Sequence, residues 1–114
     1  MELLESFRQL QQEGAPDLIE ELIDLYLTDT STRLADLRAA LLRQDLRGAQ
    51  RMVHSLKGSS NNLGVHGMGT LCAKLEDQFS EAAMAEAEIT LNQLEDEFGR
   101  VQQALAGALQ FSMK

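Results

Sequence analysis

The chain has 114 residues and a formal net charge of −8, with ten basic and eighteen acidic side chains. Its 44% hydrophobic and 25% charged residues make a globular balance, and the length suits one domain with a single core. Acidity with 4% aromatic residues argues against binding nucleic acid or an anionic membrane surface, and no apolar run approaches the ~20 residues of a membrane span. The start MELLESFRQL lacks the basic-then-apolar pattern of a signal peptide, and the single cysteine, Cys72, excludes an intrachain disulfide and suits a reducing cytoplasm.

Leu, Ala, Glu, Gln and Arg dominate, while β-branched and aromatic residues are scarce, so the chain is expected to be all-α. The first predicted helix covers Glu2–Gln12, with Leu3, Phe7 and Leu10 on one face, and Glu13-Gly14-Ala15-Pro16 ends it. Pro16 is placed to open the next helix, where its missing N–H costs nothing. That second helix runs roughly Asp17–Arg43 on the spacing of Ile19, Leu22, Ile23, Tyr26, Leu34, Leu37 and Leu41, with Thr28–Thr32 its weakest part and its continuity there left open. Asp45 then serves as N-cap for a third helix, Leu46 to Leu63, whose inward row is Leu46, Ala49, Val53, Leu56, Ser60 and Leu63.

Gly64-Val65-His66-Gly67 reads as the connection to a fourth helix, about Met68–Ala83, with Met68, Leu71, Cys72, Leu75 and Phe79 inward. The fifth covers about Glu86–Gln110, with Leu91, Leu94, Phe98, Val101, Leu105 and Leu109 inward. Short connections between helices of similar length predict an antiparallel up-down-up-down four-helix bundle over about 17–110, with the short N-terminal helix capping one end.

On a helical wheel of about 100° per residue, His54 falls outside the inward row of the third helix. Its neighbours there are Arg47, Gln50, Lys57, Gly58 and Asn61, none of them apolar. Gly58, one turn on, opens space beside the imidazole at a cost of about 1 kcal/mol of helix propensity. Lys57 would keep the imidazole neutral and nucleophilic and would stabilise a dianionic phosphoryl group. Residues 33–57 carry six basic residues against two acidic ones, and Arg47 and Arg51 lie within two turns of His54. Counting outward from Val65, Glu76 falls at the height of His54 across the hairpin, so its carboxylate would fix the ring tautomer and leave the other nitrogen outward. Each residue also has an ordinary reading: a surface histidine, a solvated lysine, arginines that solvate a helix, an exposed glutamate. His54 and His66 stand too far apart along the hairpin to share a metal ion with Glu76.

HSLKGSSNNLG (54–64), followed by LCAKLED (71–77), resembles the histidine-containing phosphotransfer (HPt) domain of multistep two-component phosphorelays, with His54, Lys57, Gly58 and Gly64 matching the family pattern. The resemblance implies that His54 accepts a phosphoryl group on Nε2 from a receiver-domain aspartate and passes it to another receiver. It implies a phosphocarrier without ATP-dependent kinase activity of its own. Lys57 would neutralise phosphate charge, Gly58 would give the receiver access, and Glu76 would hold the other imidazole nitrogen. Arg47, Gln50, Arg51, Asn61 and Asn62 are the candidate docking surface. The implied partners are the receivers of hybrid sensor kinases and of response regulators. The chain would bind no cofactor itself, the receiver contributing Mg²⁺. A freestanding cytoplasmic monomer is the expectation. The alternative is a helical adaptor that binds a partner through the same polar face without chemistry.

Overall fold

The computed structural model describes residues 16–112. They form four helices: α1 (Pro16–Leu42), α2 (Leu46–Leu63), α3 (His66–Ser80) and α4 (Met84–Ser112). Consecutive helices pack against each other and α1 closes against α4, giving the expected antiparallel four-helix bundle. The N-terminal helix expected over residues 2–12 and the inward position of Leu109 lie outside what is described.

The inward rows meet in one core. Ile23, Leu37, Leu56, Met68, Leu75, Phe79, Leu91, Leu94 and Leu105 are essentially inaccessible to solvent, and each large apolar side chain so buried contributes about 1.5–3 kcal/mol. Leu22, Leu41, Leu46, Leu63 and Leu71, also expected inward, are only half-buried at the edges of their helices. Ser60 occupies its place in the core row because the Tyr26 hydroxyl reaches it from α1, at 2.9 Å, so two polar groups enter the core as a hydrogen-bonded pair.

One open point closes and two boundary expectations change. α1 runs unbroken through Thr28–Thr32: Thr30 packs fully into the core, and the Thr32 hydroxyl donates to the Thr28 carbonyl one turn back, so packing overrides the weak propensity. α3 starts at His66 rather than Met68, because the Val65 carbonyl already accepts from Gly69 N–H at 3.1 Å; His66 belongs to the first turn of a helix rather than to a loop. α3 ends at Ser80 rather than Ala83, and α4 starts at Met84 rather than Glu86, because Ala82 takes a left-handed φ of 56° that ends one helix at once.

The three connections share one geometry. At the end of α2, Gly64 N–H reaches the Asn61 carbonyl at 3.1 Å and Val65 N–H reaches the Ser60 carbonyl at 2.8 Å, with Gly64 left-handed at φ 84°. This is a Schellman closure, and buried Val65 supplies its apolar contact. The same pair of bonds recurs at Gln44/Asp45 and Ala82/Ala83, where Gln44 and Ala82 are the left-handed residues. Asp45 then caps α2, its Oδ1 accepting from Gly48 N–H at 3.0 Å. Tight closures at both ends of α2 fix its height against α1 and α3, and that height sets the site.

Candidate functional site

α2 presents His54 outward from the middle of its length, with the side chain 72% exposed. Val53 and Leu56, its neighbours in the sequence, point the other way into the core; this amphipathic split holds the histidine on the surface. Across the hairpin, Glu76 stands level with it. His54 Nδ1 lies 3.0 Å from Glu76 Oε2, and Lys57 Nζ donates to Glu76 Oε1, also at 3.0 Å. One carboxylate therefore holds both the ring and the lysine.

Partial burial alone would raise the Glu76 carboxyl, but the hydrogen bonds and charges of Lys57 and His54 outweigh it and hold the group below its ordinary value. At neutral pH it is an ionised, acceptor-only group, so the hydrogen between it and the ring sits on Nδ1. Nε2 of the neutral imidazole then carries its lone pair away from Glu76.

Lys57 is engaged with Glu76 on the Nδ1 side, its side chain 30% exposed. A Cβ built on Gly58 meets nothing within 4 Å, so no packing contact demands glycine.

The candidate docking residues separate. Gln50 and Arg51 join His54, Ser55, Glu76 and Ser80 around an open depression beside the imidazole. Arg47 and Asn62 are exposed on the same face of α2. Asn61 leans toward α3, where its carboxamide fills the space a Cβ on Gly69 would need. The surplus of basic residues over 33–57 is also largely absorbed. Arg33 pairs with Asp29 at 2.8 Å and donates to Ser55, the residue after His54. Arg38 forms a fork on Glu95 and reaches Glu88 and Asn92, tying α1 to α4. Arg43 lies 3.9 Å from Asp45. Among the described residues, Arg47 and Arg51 have no ion-pair partner. Sequence reasoning missed the Arg33–Ser55 contact; Arg33 and Ser55 face each other only once the register of α1 against α2 is known.

Among the described residues, no group of three or more His, Cys, Asp or Glu side chains is arranged to hold a metal ion, and no helix is long and apolar enough to cross a membrane.

An exposed histidine, midway along one helix of an antiparallel bundle and steadied by a carboxylate from the next, defines a class of four-helix histidine domains. The sequence pattern of the Hpt domain family matches residues 21–104, and the chain belongs to that family. It is 32% identical over 73 residues to histidine-containing phosphotransfer protein 5 of Arabidopsis thaliana, covering 61% of this chain and 46% of that protein. The crystal structure of histidine-containing phosphotransfer protein B from Pseudomonas aeruginosa PAO1 superposes with a TM-score of 0.82 at 28% identity, over 96% of this chain and 91% of that one. That of ZmHP2 from maize superposes at 0.87 with 25% identity, over 99% and 84%. The chain spans about half to two thirds of the length of the first three Arabidopsis relatives it matches.

Proposed function

We propose that this chain carries a phosphoryl group on His54 between receiver-domain aspartates of a phosphorelay. The observation that carries the reading is the single carboxylate, Glu76, that fixes Nδ1–H and leaves Nε2 free on an open face. The Nε2 lone pair attacks phosphorus of the receiver's aspartyl phosphate. An N–P bond forms as the P–O bond to the aspartate breaks, and the carboxylate leaves with the electron pair. The phosphorylated ring carries positive charge, which ionised Glu76 offsets at Nδ1. Transfer to a second receiver is the same step reversed. The chemistry needs positioning and charge neutralisation more than acid–base work, which suits a chain that supplies the nucleophile while the receiver supplies Mg²⁺. Open space at Gly58 leaves room for the receiver's active-site loops, and we place the exchange in the cytoplasm, with the chain acting as a monomer.

The adaptor reading gives no account of the Nδ1–Glu76 contact, which an exposed binding histidine does not require. The test is incubation with a receiver domain phosphorylated on its aspartate, followed by mapping of acid-labile phosphate. Label on His54, absent from His54→Gln, is the expected result. Label persisting in His54→Gln overturns the assignment.

A further inference from the structure

His54 has two cations within one turn on its own helix, Lys57 after it and Arg51 before it, and they are not equivalent. Lys57 Nζ sits on Glu76 Oε1, the carboxylate that also holds Nδ1. Its charge is therefore committed to the Nδ1 side. Long side chains on a helix lean toward its N-terminus and cover the preceding turn, which carries the imidazole over Gln50 and Arg51 and away from Gly58. The open depression beside the ring agrees: its α2 lining is Gln50, Arg51, His54 and Ser55, without Lys57. Ser55 on its far side is held by Arg33, which is itself paired with Asp29. Arg51 is exposed and, among the described residues, has no ion-pair partner.

The geometry points to Arg51 as the side chain that contacts the phosphoryl group on His54 Nε2, with Lys57 acting one step back as a positioning residue that holds Glu76 against Nδ1. The inference rests on the phosphotransfer reading above and reassigns its cations. A guanidinium offers a planar fork of donors that matches two phosphoryl oxygens. Arg51 stands three residues from His54, the spacing of side chains that face each other on a helix. The groups that face the ring are then Arg51 and Lys57 from α2, Glu76 from α3, and the Arg33–Asp29 pair from α1 through Ser55.

The test needs no receiver. Phosphoramidate, a small phosphoryl donor, phosphorylates histidine chemically: Nε2 attacks phosphorus and ammonia leaves as the P–N bond breaks. The phospho-His54 ³¹P signal, assigned by its loss in His54→Gln, is followed against pH through the loss of the adduct's last proton. A cation in contact favours the deprotonated, more negative adduct, so Arg51→Gln should raise the midpoint by a few tenths of a unit, the size of one exposed charge contact. Arg51→Lys should restore most of the difference, and Lys57→Gln should move it less than Arg51→Gln. An unchanged midpoint in Arg51→Gln, or a larger rise in Lys57→Gln, overturns the inference. Failure of receiver transfer with the expected order of midpoints would instead overturn the phosphorelay reading and leave the charge assignment standing.

Discussion

Under the proposed function, Gly58 sets stability against access at a single position. It lies inside α2, where glycine costs about 1 kcal/mol against alanine, and a Cβ there touches nothing. Gly58→Ala should therefore raise the unfolding free energy by about 1 kcal/mol in urea denaturation. A loss of stability would mean that the glycine serves the fold after all. Gly58→Gln, also compatible with the helix, places a long side chain beside His54 that a docking receiver must immobilise or displace. Its receiver Kd should rise roughly two- to ten-fold, the cost of ordering one flexible side chain, with stability at or above wild type. The histidine, lysine and glycine were legible in the sequence because helical spacing alone puts them on one face, and Glu76 because equal distances from a tight turn give equal heights. The sharing of Glu76 by His54 and Lys57, and the withdrawal of Arg33 and Arg38 into pairs, were not. Those depend on how each helix is rotated about its axis, which a wheel drawn for one helix does not contain.

At the scale of the helices, legibility followed the chemistry of the turns. Gly64 announces its left-handed conformation, and α2 ends where the sequence places it. Gln44 and Ala82 adopt the same conformation without glycine, and at Ala82 the boundaries of α3 and α4 departed from expectation. A left-handed conformation costs an L-residue roughly 1–2 kcal/mol, which here is offset by the closing bonds Ala82 N–H to Phe79 and Ala83 N–H to Gln78. Ala82→Gly should remove that strain, while the greater freedom of glycine in the unfolded chain takes back about 0.4–1 kcal/mol. The net expectation is a gain of about 0.5–1 kcal/mol in chemical denaturation, with the helical content by circular dichroism unchanged. A loss would show that Ala82 is unstrained and that the turn is held by contacts of its methyl group.

For the whole molecule, the question is whether the bundle moves as one body. The site is built from two helices, so the Nδ1–Glu76 geometry persists only while α3 stays in register with α2. Cys72 reports on this directly. It lies one turn before Glu76 on α3, is fully buried in the core, and its thiol is pushed up to about 12 by burial, with Glu76 adding to the rise and Lys57 opposing it. Alkylation requires the thiolate and access to it, so near pH 8 the native protein offers neither. If α3 opens only when the bundle unfolds, iodoacetamide should leave Cys72 unmodified in buffer. Its labelling should then appear in urea with the same midpoint as the loss of circular dichroism, as two-state unfolding requires. Labelling well below that midpoint would mean that α3 opens on its own, as a unit of lower stability. The carboxylate that orients His54 would then be mobile, and the tautomer would no longer be fixed by the fold. Coincident midpoints would place Glu76 in the most stable part of the molecule, where the proposed phosphoryl transfer, which works by orientation, requires it.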